Sequence, residues 1–132
     1  MERVSGTSRA GELAWKSLAG IMLVNGTLGV LAPRFLIRRL GVNPQLQPGM
    51  LYVFRMFGVR TVFLAVDLFR LPDQRGHSLR EGIVVHGTDA GAALTAAALG
   101  QLPARPALLV AGISTLNTVL AAAGAWAYRG RP

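Results

Sequence analysis

The sequence predicts an all-α integral membrane protein: one domain, an antiparallel four-helix bundle with a short interfacial amphipathic segment after the first span. Three observations predict it. Of the 132 residues, 52% are hydrophobic and only 15% charged, whereas a soluble domain carries about 25% charged residues. Gly and Ala are abundant, and small residues let helices approach closely where lipid removes the hydrophobic drive for association. The apolar residues also gather into four runs of about 20 residues, the length needed to cross ~30 Å of hydrocarbon.

Met1 to Glu12 is polar, mixed in charge and without periodicity, and reads as a cytoplasmic tail. The first span runs from Leu13 to Leu31, with Trp15 and Lys16 at headgroup level and Asn25 near its middle. Its apolar core is longer than that of a signal peptide, and no small-x-small site precedes Pro33, so it is expected to be retained.

Pro33 to Gly41 mixes Phe35, Leu36, Ile37 and Leu40 with Arg34, Arg38 and Arg39, a pattern suited to lying in the interface. The following residues, VNPQLQPG, form a turn-rich connection. The second span, Leu51 to Leu71, is apolar yet contains Arg55, Arg60 and Asp67. The polar stretch Leu71 to Arg80, with Pro72, Asp73 and Gly76, reads as a loop. The third span, Glu81 to Leu99, is rich in Gly and Ala and carries His86 and Asp89; Gly87 and Gly91 would admit a neighbouring helix near Asp89. Pro106 suits the first turn of the fourth span, which ends near Tyr128 with Trp126 and Tyr128 at aromatic-belt level.

Four spans place Arg3, Arg9, Lys16, Arg70, Arg75, Arg80, Arg129 and Arg131 on one side of the membrane. Arg34, Arg38, Arg39 and Arg105 fall on the other. The excess predicts a multi-pass plasma-membrane protein with both termini cytoplasmic. The net charge of +8 is borne by arginines at the ends of apolar runs, without a basic stripe interleaved with aromatics. It therefore predicts contact with anionic headgroups and no nucleic-acid partner. Cysteine is absent, which excludes disulfides, thiol redox chemistry and Cys-ligated metal within the chain.

Ionised groups inside a span cost from about 3 to more than 10 kcal/mol if left facing hydrocarbon, so Arg60, Asp67 and Asp89 require answering groups. Helical rise puts Asn25 at ~18 Å from the cytoplasmic face, Arg60 and Asn117 at ~16 Å, and Asp89 at ~11 Å, with Asp67 and His86 at ~6 Å. Arg60 and Asp67 share one helix face, as do His86 and Asp89. The expected pairs are Arg60 with Asp89 and Asp67 with His86, while Arg55 lies near the outer interface and snorkels or clamps the first loop. Asn25, Arg60, Asp89 and Asn117 are the candidate ligand-binding residues. The candidates for acid–base chemistry are Asp67, His86 and Asp89.

The metal and cofactor signatures are missing: His77 and His86 are not at ligand spacing, no phosphate-binding glycine loop occurs, and Ser114 has no acid–base partner in its span. Neither a metal nor a cofactor is expected.

The order of features resembles the small four-helix integral membrane proteins of the DoxX-like grouping, especially its uncharacterised actinobacterial-type members. The matching features are the Ala32-Pro33 turn closing the first span, the basic segment ending in Leu40-Gly41-Val42, Arg55-x-x-Gly58-x-Arg60 in the second span, and the acidic Asp89 in the third. The resemblance implies a fold more than an activity. The thiol-linked redox role suggested for some relatives has no cysteine here to carry it.

The functional expectation is a non-enzymatic membrane protein, either an accessory subunit or a module binding a hydrophobic small molecule or lipid. It would work as a homo-oligomer or with a partner membrane subunit. Two alternatives use the same residues: a membrane-embedded enzyme with Asp and His acid–base chemistry on a hydrophobic substrate, and a proton-coupled transporter.

Overall fold

A computed structural model describes residues 8–128. The described chain is helical, with α1 over Arg9–Leu31, α2 over Pro33–Arg39, α3 over Gly49–Arg70, α4 over Arg75–Ala98 and α5 over Ala104–Trp126. A short 3-10 turn, Pro72–Gln74, precedes α4. Three of these helices, α1, α3 and α5, are long and apolar enough to cross a membrane. At 24 residues α4 has the length, but His86, Thr88 and Asp89 and a string of weakly apolar Gly and Ala leave it too polar to join them.

The helix ends differ from the sequence expectation in two places, each with a local cause. The chain before Leu13 is not wholly a tail, because Ser8 caps α1 by accepting a hydrogen bond from the Gly11 N–H at 3.1 Å, and Glu12 lies in the first turn. Residues 1–7, Arg3 among them, lie outside the described residues, as do Arg129 and Arg131. Leu71–Arg80 is mostly helical rather than a loop. Pro72 opens the 3-10 turn, and Arg75 begins α4 six residues before the expected Glu81.

The amphipathic segment after Pro33 is α2, anchored by fully buried Ile37 and by Pro33. It ends where Gly41 takes φ 71°, allowing the Val42 N–H to reach back to the Ile37 carbonyl at 3.4 Å. Gly100, at φ 68°, ends α4 in the same way, with the Gln101 N–H on the Ala96 carbonyl at 2.8 Å. Both positions require a residue that tolerates the left-handed region.

Helix α1 packs on α3 and α5, and α4 packs on α5, while α3 and α4 touch more lightly. Trp15 near the start of α1 meets Phe69 near the end of α3, their rings edge-on at 5.3 Å. Gly29 near the end of α1 abuts the Phe54 carbonyl near the start of α3. Between α4 and α5, Gly76 faces Tyr128, Leu79 faces Gly124 and Gly82 faces Ala121.

Two kinds of packing hold this arrangement. Toward the first residues of α1 and the last of α5, Trp15, Leu18, Ala19, Met22, Ala65, Leu68, Leu79, Ala121, Ala125 and Tyr128 form one buried cluster. Farther along α1, side chains give way to backbone contact with α3. A Cβ on Gly58 would lie 2.6 Å from the Gly26 carbonyl oxygen and 2.8 Å from the Val30 nitrogen. The close approach expected at Gly87 and Gly91 occurs here instead, and no atom outside their own helix neighbourhood lies within 4 Å of a Cβ built on either of those glycines.

The outward faces are apolar. Val24, Tyr52, Val53, Phe63, Val84, Leu108 and Val119 are each at least 58% exposed. Exposed apolar surface on this scale marks contact with a membrane or with other proteins.

Candidate functional site

Arg60 and Asp89, the pair expected from the sequence, are joined between α3 and α4. Arg60 Nη2 donates to Asp89 Oδ2 at 3.4 Å. The contact is long for a charge-assisted bond and is not enclosed, since the side chains are 50% and 29% exposed. The Arg60 guanidinium also lies 5.6 Å from the ring centroid of Phe57, one turn earlier on the same helix. It is thus held from below by an aromatic face and from the side by a carboxylate.

His86 and Asn117 are buried, at 5% and 6% exposure, and among the described residues His86 Nε2 and Asn117 Oδ1 have no hydrogen-bond partner. Gly76 meets Tyr128, Leu79 meets Gly124 and Gly82 meets Ala121 along α4 and α5, and extending this register by helical spacing sets His86 level with Asn117 and Asp89 level with Ser114. The two unpartnered atoms therefore belong to one level of the α4–α5 interface. The sequence estimate had put these residues at different depths. The early start of α4 adds six residues, about 9 Å of helix, below His86.

The remaining expected groupings do not form bonds. Asp67 is half-buried on α3, and among the described residues its carboxylate makes no hydrogen bond with His86, which faces α5 instead. Asn25 is half-buried on α1 and is not bonded to Arg60. Ser114 is buried; its carbonyl accepts from Thr118 Oγ1 at 2.8 Å. Of the expected site residues, the structure joins Arg60 to Asp89 between α3 and α4, and buries His86 on α4 and Asn117 on α5.

Sequence reasoning missed a second polar junction, centred on Arg75. Its guanidinium stacks 4.1 Å from the ring centroid of Trp15 in α1. Its Nε donates to the Leu68 carbonyl near the end of α3 at 2.6 Å, and its Nη1 donates to the Tyr128 hydroxyl after α5 at 3.1 Å. Trp15 and Tyr128 had been expected at an aromatic belt; both are buried around this arginine, and Trp126, 65% exposed, alone keeps the outward position. The signal was present as one arginine and two amphipathic aromatics expected at the same membrane face. Reading residues 71–80 as a loop hid it.

Two clefts lie elsewhere, beside α2. One of about 340 Å³ is bordered by Leu31, Phe35, Arg34, Arg38 and Arg55, and another of about 480 Å³ shares Arg38 and runs along Gly41 to Gln45. Neither reaches Asn25, Arg60, Asp89 or Asn117. Among the described residues no cluster of three His, Asp or Glu side chains is placed to hold a metal ion. No family model, curated protein or solved structure matches this chain.

Proposed function

We propose that this chain is a multi-pass protein of the plasma membrane, an antiparallel four-helix bundle with both termini cytoplasmic, and that it acts without catalysis as an accessory module that self-associates through α4. The opposed succession of contacts along α1 and α3, and along α4 and α5, supports the antiparallel order. The resemblance to the DoxX-like grouping implies the same architecture. In this reading α4 crosses the membrane because α5 packs along one side of it and a second copy covers the other, not because it is apolar.

The observation that carries the reading is the half-exposed Arg60–Asp89 pair beside an open stretch of α4. In a bilayer this surface would set a charged pair, Thr88 and the small Gly87 and Gly91 against hydrocarbon, which is costly for the charges. A second copy is the favoured cover. A twofold interface must be self-complementary, and a patch with one guanidinium and one carboxylate lets each copy's Arg60 meet the other's Asp89. The open glycines supply the close approach.

Acid–base catalysis has less support. Asp67, His86 and Asp89 do not line one cleft: His86 is buried, and among the described residues Asp67 makes no side-chain hydrogen bond or ion pair.

The absence of native cysteine makes the test direct. Thr88→Cys in membranes should give a disulfide-linked dimer, and Leu116→Cys, on an exposed face of α5, should not. Adding Asp89→Leu to Thr88→Cys should reduce the dimer severalfold. Equal cross-linking at both positions, or a monomer by single-molecule photobleaching, would remove self-association.

A further inference from the structure

The cleft at the junction of α1, α2 and α3 has a composition that the reading above does not use. Arg34, Arg38 and Arg55 border it together with Leu31 and Phe35, within a volume of about 340 Å³. Helix α2 brings Arg34 and Arg38 there because buried Ile37 and Pro33 fix its underside, leaving both arginines exposed. Arg55 reaches the same cleft from the second turn of α3.

Among the described residues no carboxylate pairs with these charges. The sequence contains six Asp and Glu, and none lies between Glu12 and Asp67. Glu12 is at the far end of α1, ~28 Å from Leu31 by helical rise, and is paired with Lys16. Among the described residues, Arg34, Arg38 and Arg55 form no ion pair. By contrast, Arg39, which does not border the cleft, lies over the Phe35 ring with its guanidinium 5.2 Å from the centroid. The result is three unpaired guanidinium groups around one cleft, flanked by Leu31 and Phe35, which are 77% and 49% exposed.

We infer that this cleft binds the phosphate of an anionic membrane lipid, with the headgroup held by Arg34, Arg38 and Arg55 and the start of an acyl chain laid against Leu31 and Phe35. The inference rests on the membrane reading proposed above. Guanidinium forks match phosphate oxygens in geometry as well as charge, and the apolar wall gives a lipid an advantage that a free anion lacks. The lipid belongs to the leaflet opposite the termini.

The test is native mass spectrometry of the full chain in detergent, titrated with phosphatidylglycerol, with phosphatidylcholine, and with inorganic phosphate alone. Phosphatidylglycerol should bind preferentially, and Arg34→Gln, Arg38→Gln and Arg55→Gln should each weaken it about five-fold, the equivalent of ~1 kcal/mol per basic side chain. Arg105→Gln, which removes equal charge away from the cleft, should leave affinity unchanged, and circular dichroism checks that each variant stays helical. Equal binding of the two lipids, or equal loss in Arg105→Gln, overturns the site. Binding of inorganic phosphate as tight as phosphatidylglycerol overturns the lipid assignment in favour of a free anion. Alkaline carbonate extraction separates the two levels: a chain released by carbonate fails the membrane reading itself, whereas a retained chain without lipid preference fails this inference alone.

Discussion

The Arg75 guanidinium lies 4.1 Å from the ring centroid of Trp15, and its remaining donors reach the Leu68 carbonyl and the Tyr128 hydroxyl. One side chain at the start of α4 therefore touches α1, the last turn of α3 and the residue closing α5. A cation there also sits well for the end of α3, whose final carbonyls carry partial negative charge.

Replacing Arg75 should loosen this whole end of the molecule. Arg75→Gln should cost about 2–3 kcal/mol, combining a cation–π contact with hydrogen bonds from a charged donor. Arg75→Lys should recover only part, because an ammonium does not present the planar fork. Thermal unfolding in detergent measures the loss, and Trp15 fluorescence, read in a Trp126→Phe background, should shift to the red.

Gly58→Ala should separate α1 from α3. The added methyl would meet backbone atoms of Gly26 and Val30, which have no flexible side chain to yield, and overpacking of this kind costs about 1–3 kcal/mol. Gly20→Ala is the matching control: Gly20 lies on α1, the helix that Gly58 of α3 packs against, its added Cβ has nothing within 4 Å, and the change should gain up to about 1 kcal/mol from helix propensity. Unfolding midpoints of opposite sign are the expected outcome; a neutral Gly58→Ala would mean that the crossing is looser than 2.6 Å suggests.

Removing charge from the Arg60–Asp89 pair between α3 and α4 gives a further test. Arg60→Leu or Asp89→Leu alone leaves one ionised group unanswered, whereas the double variant removes both. The double variant should therefore be better inserted and more stable than either single one, with insertion cost differing by about 2.5–3.5 kcal/mol for the lone charge. Membrane-fraction yield and unfolding midpoint both report on it, and additive single effects would argue that the 3.4 Å contact contributes nothing.

Asn117→Leu should be neutral or stabilising. The substitution keeps side-chain volume and removes a buried acceptor without a partner, a group whose desolvation costs about 1–3 kcal/mol. A large loss of stability in the unfolding midpoint would instead mean that Asn117 and His86 are bonded through a bridging group.

The legible parts of this molecule were those set by composition and by period. Hydropathy located α1, α3 and α5 to within a few residues, and the seven-residue segment after Pro33 was recognisable from its alternating Arg and apolar side chains. Arg60 and Asp89 could be paired in advance because lone charges in apolar runs demand partners. The start of α4 was not legible: LPDQRGHSLR has turn residues, yet its helix is set by tertiary contacts of Arg75 that no local pattern encodes. Glycine roles were misassigned for the same reason. Gly87 and Gly91 have the spacing of a packing motif, but which glycines meet another backbone depends on how α1 crosses α3.

The weak hydropathy of α4 also bears on how the chain is made. A segment with Glu81, His86 and Asp89 partitions poorly by itself, and its most extensive partner, α5, is the helix synthesised next. Under the proposed four-span arrangement, insertion is expected to proceed by hairpin, with α4 waiting outside the lipid until α5 emerges to carry it in. A chain stopped at Leu102 should leave α4 unprotected from protease in isolated membranes, and restoring α5 should protect it. Protection of α4 in the shortened chain would refute this order of assembly.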